Sequence, residues 1–439
     1  MSKRLTRRRF SQLGLAAGLG AFSAPHIVPA RALGANERVV VGIIGVGNRS
    51  RALLGGLKGR VDIAAVADVY LPRAQEVAES VGAKHVYQDY RELLDQKDID
   101  AVVIATPHRW HALNSIHAAQ ASKDIYCEKP LSYTIREGRR VVEAVRKHKR
   151  VLQTGSQLRS NRKVYTGCMH VRNGSIGKVA RVLAVNYHSP MESGHPKQDI
   201  PKGLDWDMWC GPAEPPPFNF VIWDNRSKPS WSSIRPFSGG DIAEGGPHGL
   251  DLAQWGIGMD KSGPMEIWTE GEPFKPMTSN LEAPGERHGG PDSPKILMKY
   301  PGGIVLQLSG YRGNGAGVRF VGENGSVSVG NNHVESDPAE LVSKPVEDPK
   351  VQLERSDDHI GNWLECIRER RDPIASAEIG HRSATVCHLG NIARWVSEIT
   401  GETGQKLRWD PHKERFTNSP AANRFLEGSY RKGYELPEV

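Results

Sequence analysis

The chain reads RVVVGIIGVGNRS over residues 38–50. The residues before Gly45-Val46-Gly47 form an apolar, β-branched run, which predicts a buried strand of a parallel sheet. Gly45 and Gly47 follow at once, and a helical pattern comes after them. The next apolar stretch, 61–68, ends on Asp68. Strand, glycine turn, helix and terminal acid together predict a dinucleotide-binding unit.

Strands and helices continue to alternate beyond this unit. Apolar runs predict strands at 101–105 and 124–127, and periodic patterns predict helices at 111–121 and 135–147. Such alternation is typical of a doubly wound parallel sheet with helices on both faces. We therefore predict an α/β Rossmann domain over residues 36–158.

The pattern changes from about Val179. Longer alternating strands are predicted at 179–187 and 304–309, and loops rich in proline and glycine separate them, such as 285–291. This pattern of strands and loops indicates a second α/β domain over residues 159–439, built on an open mixed or antiparallel sheet. One face of that sheet is expected to be covered by helices at 248–256, 358–370 and 382–400.

The N-terminus has the layout of an export signal. Basic TRRRF at 6–10 precedes a mildly apolar run at 13–22, and Ala-Arg-Ala follows at 30–32. The run is too short to span a bilayer, and the start resembles a twin-arginine signal, which exports folded proteins. We predict a signal peptide over 1–32, a periplasmic location and no membrane association after its removal. A basic disordered tail and an uncleaved anchor are the alternatives.

Charge and cysteine content exclude several classes of protein. The net charge is +8, but residues 1–32 hold six lysines and arginines and no acid, so the remainder carries +2. A chain so near neutrality gives no support for nucleic-acid binding. The five cysteines are scattered, without a CxxC pair, which argues against a zinc ribbon or a disulfide framework.

The glycine loop and the acid after it predict the cofactor. Gly45 permits the tight turn, and Gly47 lets the backbone approach a pyrophosphate at the helix N-terminus. Ser50 stands where the GxGxxG pattern has its third glycine. Asp68 would accept hydrogen bonds from the ribose hydroxyls and repel a 2′-phosphate, so NAD is predicted, while nearby Arg73 leaves NADP open. A structural turn without a nucleotide is the alternative.

Further motifs resemble those of the Gfo/Idh/MocA family of oxidoreductases. They are T-P-x-x-x-H at 106–111, E-K-P at 128–130, and a GG…EGGPH segment at 239–248 that is followed by Asp251. The tail stretch SATVCHLGNIA at 383–393 resembles the planctomycete-type branch of that family. The resemblance covers essentially the whole mature chain, and it is specific for the family but not for the substrate.

The resemblance implies roles for individual residues. Lys129 stands where the family's lysine bonds the substrate hydroxyl and the cofactor ribose, and Glu128 packs beside the nicotinamide. His248 stands where the catalytic histidine takes the hydroxyl proton. Pro130 often follows a cis peptide in this family. Glu244 replaces the usual aspartate, and we expect it to orient His248. The chemistry agrees, because a histidine, or a lysine of lowered pKa, can remove an alcohol proton near neutrality.

Three sets of site residues are therefore predicted. The catalytic set is Lys129, His248 and Glu244. The cofactor set is Gly45, Gly47, Asn48, Arg49, Asp68, Thr106, Pro107, His111, Glu128 and Lys129. The substrate set is Gln157, Arg159, Asp251 and Trp209. The tryptophans at 206, 209, 223 and 231 either stack on sugar faces or anchor loops. No metal is predicted, since Gly245-Gly246-Pro247 argues against a helix that would put Glu244 and His248 on one face.

The export signal and the cofactor site constrain each other. Little free NAD is available outside the cytoplasm, and a protein exported in folded form can carry its nucleotide with it. We therefore expect an enzyme that acts on a sugar or polyol hydroxyl with a tightly held, recycled NAD. A redox-neutral glycosidase or lyase that transiently oxidises C3 and eliminates the aglycone is the alternative. A plain dehydrogenase and a non-catalytic exported binding protein are further alternatives. The resemblance also implies a homodimer or homotetramer.

Overall fold

The structure is a computed structural model that describes residues 38–224, 229–280, 294–311 and 317–439. The predicted signal peptide over 1–32 and the predicted loop over 285–291 lie outside these ranges.

The N-terminal part is built on a six-stranded parallel sheet. Its strands are β1 (Val39–Ile44), β2 (Val61–Ala67), β3 (His85–Tyr87), β4 (Ala101–Ile104), β5 (Asp124–Cys127) and β6 (Leu152–Thr154). They are arranged in the order β3-β2-β1-β4-β5-β6. The helices are α1 (Asn48–Leu57), α2 (Leu71–Val81), α3 (Tyr90–Leu94), α4 (His108–Gln120) and α5 (Ile135–Lys147). The predicted doubly wound sheet is confirmed.

The strand order positions a binding site. The chain leaves β1 toward β2 on one side of the sheet, whereas β4 lies on the other side of β1. The loops that follow β1 and β4 therefore diverge at the carboxyl edge, and ligands of open parallel sheets bind in the crevice between such loops.

The C-terminal part is built on a nine-stranded mixed sheet. Its strands are β7 (Val179–Ala184), β9 (Glu266–Glu270), β11 (Lys295–Lys299), β12 (Val305–Leu308), β13 (Val318–Gly322), β14 (Gly325–Gly330), β15 (His333–Asp337), β16 (Leu407–Asp410) and β17 (Arg415–Phe416), while β8 (Glu192–Ser193) and β10 (Thr278–Ser279) pair separately. The order of the large sheet is β15-β14-β13-β7-β12-β11-β9-β16-β17. Only the β7–β12 pair is parallel among these described strands. The predicted mixed sheet is confirmed.

Eight helices of the described ranges follow the first domain. They are α6 (Arg162–Arg172), α7 (Trp206–Cys210), α8 (Phe220–Trp223), α9 (Asp241–Glu244), α10 (Gly246–Ile257), α11 (His359–Glu369), α12 (Ala377–Thr400) and α13 (Pro420–Asn423). Short 3₁₀ turns occur at Gln157–Ser160, Trp231–Ser233, Pro301–Gly303 and Ala339–Val342. Buried side chains of α6, α10 and α12 pack with the strands of the large sheet in one core. Within the described ranges, no helix is both long and apolar enough to cross a membrane.

Helix α11 packs against the first sheet and not the second. Its Ile360 and Trp363 are buried with Leu57 of α1, Val77 of α2 and Val103 of β4. The prediction that this helix covers the second sheet is therefore wrong. The apolar stripe of an amphipathic helix shows that one face is buried, but the stripe does not say which sheet buries it.

Candidate functional site

The loop after β1 has the geometry of a phosphate-binding turn. Gly45 has φ +80°, and an added Cβ would lie 2.9 Å from Cγ2 of Thr106, so a side chain would be both strained and crowded there. Gly47 precedes α1, and an added Cβ at this residue would meet no described atom within 4 Å. Open space therefore lies before the N-terminus of α1, where backbone N–H groups and the helix dipole favour an anion. Asn48 is the first residue of that helix, and Ser50 is buried within it.

The carboxylate of Asp68 stabilises the glycine loop after β1 and also forms an ion pair with Arg73. Its Oδ2 accepts a hydrogen bond from the backbone N of Val46 at 2.8 Å, and its Oδ1 accepts one from the N of Tyr70 at 2.9 Å. Nη2 of Arg73 also donates to Oδ1 at 2.8 Å. A ribose hydroxyl at this carboxylate would therefore compete with Arg73 for its lone pairs.

A cavity extends along the carboxyl ends of β1, β2 and β4. One wall comes from the first domain and includes Gly45, Gly47, Asp68, Thr106 and Pro107. The facing wall comes from the second domain, where three indole rings line the cavity: Trp209, Trp223 and Trp231. We call these three residues the tryptophan wall.

The tryptophan wall is braced by other aromatic rings. Trp209 stacks on Trp206 with centroids 4.7 Å apart. The ring of Trp223 meets Tyr70 edge-on at 5.3 Å, and Trp231 meets His108 edge-on at 5.0 Å. Trp209 was predicted to contact substrate, but the structure places it at the cavity beside the glycine loop. These rings thus anchor the loops and also line one side of the predicted cofactor cavity.

Glu128 lies at the end of β5 and is clamped by two side chains. Nε of Arg49 lies 2.7 Å from its Oε1, and Nε2 of Gln157 donates to the same oxygen at 2.9 Å. Gln157 Nε2 also donates to the hydroxyl of Tyr126 at 2.8 Å. Both amide hydrogens of Gln157 are thereby used, so this residue positions Glu128 and does not present a free donor to a substrate.

Lys129 is held by a chain of polar groups. Its Nζ donates to the backbone carbonyl of Glu244 at 2.8 Å and lies 3.1 Å from the Oε1 of that residue. Oε2 of Glu244 lies 2.8 Å from Nε2 of His108, whose Nδ1 lies 3.0 Å from Oγ of Ser238. We call Ser238, His108, Glu244 and Lys129 the polar chain. The Lys129–Pro130 peptide is cis, as the resemblance implied.

Glu244 was expected to orient His248, but the structure shows a charge interaction that raises the pKa of His248 and no hydrogen bond to its Nδ1. Helix α9 ends at Glu244, α10 begins at Gly246, and Gly245 between them keeps helical angles (φ −88°, ψ −34°). The expectation that Gly245-Gly246-Pro247 argues against a helix here is therefore wrong, because Pro247 lies in the first turn, where its missing N–H is tolerated. Both carboxylate oxygens of Glu244 face Lys129 and His108 instead. Burial alone would raise the pKa of Glu244, but the charge of Lys129 and the hydrogen bond with His108 hold that pKa well below its usual value. Glu244 is therefore ionised at neutral pH.

His248 lies in the first turn of α10 and has an unused nitrogen. Its Nδ1 is buried and has no hydrogen-bond partner among the described residues. Burial, followed by the positive charge of Lys129, lowers the pKa of His248 to about 4. The ring is therefore neutral near pH 7, and one of its nitrogens is free to accept a proton.

His111 connects two loops of the site. Its Nδ1 lies 2.6 Å from the carbonyl of Pro130 and its Nε2 lies 2.8 Å from the carbonyl of Thr106. Burial lowers the pKa of His111 to about 4, so the neutral ring donates to one carbonyl at a time. His111 was predicted to bind cofactor, but the structure gives it a positioning role beside the cavity.

Arg159 and Asp251 are not brought into the site. They form a two-pronged ion pair with both N–O distances at 2.8 Å, and neither side chain is more than 1% exposed. Arg159 also binds Asp260 at 2.7 Å, and Ser383 donates to Asp251 at 2.6 Å. Their charged groups are paired with each other and with Asp260 and Ser383, so neither residue offers a free group to a substrate.

Sequence reasoning missed the role of His108. The residue lies inside the T-P-x-x-x-H motif, but a lone buried histidine usually packs in a core. The available signal was its position, because His108 opens the helix after β4 at the carboxyl edge of the sheet. Ser238, 130 residues further along the chain, left no such signal.

Two family models match the chain. One, described as an oxidoreductase family with an NAD-binding Rossmann fold, matches residues 39–156. The other, described as the C-terminal alpha/beta domain of an oxidoreductase family, matches residues 185–436. Their names are GFO_IDH_MocA and GFO_IDH_MocA_C2, and together they cover both sheets of the structure except β7, which lies between the two matches.

Curated relatives match in part of their length. The "uncharacterized oxidoreductase YrbE" of Bacillus subtilis is 36% identical over 146 residues, which is 32% of this chain and 42% of that protein. The myo-inositol 2-dehydrogenase of Thermotoga maritima is 32% identical over 152 residues, which is 34% of this chain and 45% of the relative. The matched region therefore spans less than half the length of these relatives.

Solved structures match over most of the chain. The aldose-aldose oxidoreductase of Caulobacter crescentus, complexed with glycerol, has a TM-score of 0.58 at 19% identity and covers 85% of this chain and 100% of its own. The WlbA dehydrogenase of Bordetella pertussis, in complex with NADH and UDP-GlcNAcA, has a TM-score of 0.57 at 18% identity, with 82% and 97% covered. At these identities the likeness establishes the shared fold.

Proposed function

The chain belongs to the Gfo/Idh/MocA oxidoreductase family, and we propose that it transfers hydride between a sugar or polyol carbon and a nicotinamide dinucleotide. One structural observation supports hydride transfer beyond what the family assignment alone implies. Nζ of Lys129 lies 2.8 Å from the carbonyl and 3.1 Å from Oε1 of Glu244, and His248, whose lowered pKa leaves its ring neutral near pH 7, lies in the first turn of the helix that follows Glu244. Oxidation of an alcohol needs both a group that steadies the oxygen and a group that takes its proton.

The residues at the cavity fit a dinucleotide. The open space before α1 beside Gly47 suits a pyrophosphate, and Asp68 lies at the next strand end, where a ribose would follow. Glu128 would lie beside the nicotinamide. When bound, this cofactor supplies a hydride acceptor that no side chain provides.

The polar chain and His248 divide the proton chemistry between them. Lys129 would donate a hydrogen bond to the substrate hydroxyl oxygen, and the ionised Glu244 keeps the ammonium in place. The neutral imidazole of His248 would accept the hydroxyl proton as the C–H bond breaks. The electron pair of the O–H bond then forms the carbonyl, and the reverse reaction returns the proton from the imidazole.

The proposed cofactor is NAD, and we infer that the protein retains it. Asp68 would repel a 2′-phosphate, although Arg73 partly offsets its charge. The tryptophan wall lines the cavity opposite the glycine loop, so the indole rings would cover part of a bound dinucleotide and slow its release. Retention would suit an enzyme that is exported already folded, which the N-terminal sequence favours.

Retention of the nucleotide behind the tryptophan wall would also suit a second candidate function. In a redox-neutral glycosidase or lyase, C3 of a glycoside is oxidised, the aglycone is eliminated, water adds, and the hydride returns. No cofactor exchange is needed in either that cycle or the coupled oxidation and reduction of two sugars. Both reactions therefore suit a nucleotide partly covered by Trp223 and Trp231.

A substrate screen distinguishes these functions. Purified protein would be mixed with sugars, polyols and aryl glycosides while the absorbance of reduced nicotinamide is followed and the products are identified by mass. Absorbance that rises with a polyol or free sugar supports the oxidoreductase. Aglycone release without net reduction supports the glycosidase. If the protein binds a sugar but Lys129→Ala changes no product, the protein is a binding protein and the proposal fails.

A further inference from the structure

The segment over residues 429–439 leaves the second domain and lies on the first domain beside the candidate cofactor cavity. Leu426, just before it, is still buried with the large sheet, whereas Tyr434, Leu436 and Val439 pack against the core of the first domain. Among the described residues, no helix or strand follows α13, so side-chain contacts contribute most of what holds the segment. We call residues 429–439 the strap.

The start of the strap is anchored on two helices of the first domain. The carbonyl of Ser429 accepts a hydrogen bond from Nη2 of Arg109 on α4. The hydroxyl of Tyr430 donates to Oε1 of Glu137 on α5 at 2.9 Å, and the guanidinium of Arg109 lies over the ring of Tyr430 at 4.9 Å. Arg431, the next residue, is therefore held where its side chain can reach α7.

Arg431 binds the end of α7 through all three parts of its guanidinium. Its Nε donates to the carbonyl of Gly211 at 2.8 Å, and its Nη2 donates to the carbonyl of Asp207 at 2.9 Å. Its Nη1 lies 2.7 Å from Oδ1 of Asp207, and only 15% of the Arg431 side chain is exposed. The carbonyl end of a helix carries partial negative charge, so a basic side chain that binds it stabilises that end.

Helix α7 needs such support because it is short. It has five residues, and helices of this length are not stable on their own. It carries Trp209, which lines the cofactor cavity as part of the tryptophan wall. The backbone carbonyl of Trp209 also accepts a hydrogen bond from Nε1 of Trp110 at 3.0 Å. The orientation of Trp209 in the cavity therefore depends on what holds α7.

Trp110 gives the strap a second route to the cavity. This residue lines the cavity, and its ring meets the ring of Tyr434 edge-on at 5.5 Å. Gly211 lies against the same indole, because a Cβ added at Gly211 would overlap it. The guanidinium of Arg431 lies over the ring of Tyr434 at 4.8 Å. Arg431 and Tyr434 thus act as one unit that contacts both α7 and Trp110.

We propose that the strap fixes Trp209 over the bound dinucleotide and thereby slows its release, with Arg431 as the positioning residue. The inference rests on the proposed function, since it requires a dinucleotide in the cavity. Arg431 is not one of the described residues that line the cavity, so it acts through α7 and not on the nucleotide. Loss of its contacts would let the end of α7 open locally and let Trp209 move away from the glycine loop.

The test is the release of NADH from the full chain, followed by stopped-flow displacement with excess NAD. We expect Arg431→Met to raise the dissociation rate constant by about tenfold, because charge-assisted hydrogen bonds that hold the wall are lost. Arg370→Met is the matched control, since Arg370 also binds an aspartate, Asp124 at 2.6 Å, and a carbonyl, that of Lys149 at 2.8 Å. Asp124 begins β5, at the edge of the sheet opposite the cavity, so the control should change release by less than about twofold.

A double variant tests whether Arg431 acts through Trp209. In a Trp209→Ala background, Arg431→Met should change the release rate by less than about twofold, because the ring that Arg431 positions is already absent. If the effects of the two substitutions multiply, Arg431 does not act through Trp209 and the proposal is overturned.

The outcomes separate this inference from the proposed function. A parent protein that binds no dinucleotide contradicts both. A parent protein that binds NADH, while Arg431→Met releases it no faster than the parent or the Arg370→Met control, overturns the role of the strap alone. If Arg431→Met does not fold, Tyr434→Leu tests the same unit, because it removes the ring that meets Trp110. Faster release from that variant supports the proposal, and unchanged release overturns it.

Discussion

Glu244 contacts Lys129 at two points, through a backbone carbonyl 2.8 Å from the ammonium nitrogen and through a carboxylate oxygen at 3.1 Å. The second carboxylate oxygen binds His108. The acid therefore couples the E-K-P loop to the helix after β4, and the chemistry proposed for His248 would proceed without a hydrogen bond from Glu244 to its Nδ1.

Replacing Glu244 with Gln should lower kcat more than it raises KM. The amide keeps the size of the side chain, but it removes the negative charge that holds Lys129. We expect a loss of about ten- to a hundredfold in kcat, since a positioned acid–base group contributes at least that much. Steady-state kinetics would measure both constants. An unchanged kcat with normal cofactor binding would contradict the role given to Glu244.

Replacing His248 with Asn should remove the proton acceptor and leave the cofactor site intact. We expect turnover to fall by about a hundredfold or more, with nucleotide affinity unchanged. Because burial and the charge of Lys129 lower the pKa of His248 to about 4, the parent enzyme should keep its base form from neutrality down to that pH. The rate of alcohol oxidation should then fall as pH drops through about 4. A fall centred near the ordinary histidine pKa would contradict this assignment.

Replacing Asp68 with Asn should shift cofactor preference toward NADP. The substitution removes the charge that would repel a 2′-phosphate, and it releases the guanidinium of Arg73 from its ion pair at 2.8 Å. We expect the ratio of NADP to NAD affinity to rise by about tenfold, measured by fluorescence titration. Adding Arg73→Met to the Asp68→Asn variant should cancel the gain. If the double variant keeps it, Arg73 is not the phosphate partner.

Replacing Trp223 with Ala should speed release of the nucleotide. The substitution opens the tryptophan wall on the side of Tyr70, and we expect the dissociation rate to rise by about tenfold because a large ring that lines the cavity is lost. Trp268→Ala is the control, since Trp268 lies on β9 of the large sheet. Stopped-flow displacement would compare the two. Equal rates in both variants would show that the wall does not retain the cofactor.

The dinucleotide unit could be predicted because its signals are local. The strand before Gly45, the turn at Gly47 and the acid Asp68 lie within about thirty residues, and each has a recognisable pattern of side chains. The sequence predicts that the second sheet is mixed, but it does not predict the order of its strands. Strand order depends on pairing between segments that lie far apart in the chain, such as β7 with β12 and β13.

The orientation of side chains in the site depends on contacts that no local pattern records. Glu244 binds Lys129, which lies 115 residues earlier, and Arg159 finds Asp251 at a separation of 92 residues. From sequence alone, a charged residue near a motif is therefore predicted to contact substrate. In the fold, a distant residue of opposite charge can already be paired with it, as Asp251 is with Arg159. The same limit explains α11, whose apolar stripe did not reveal that it packs on the first sheet.

The central claim is that this chain holds a nicotinamide dinucleotide in the cavity between the glycine loop and the tryptophan wall. The most direct test uses protein purified without added cofactor, denatured, with the released small molecules identified by mass and by absorbance. We predict close to one NAD or NADH per chain. An empty protein that binds neither NAD nor NADP on titration would contradict the claim, and weak, freely exchanging binding would contradict retention of the cofactor.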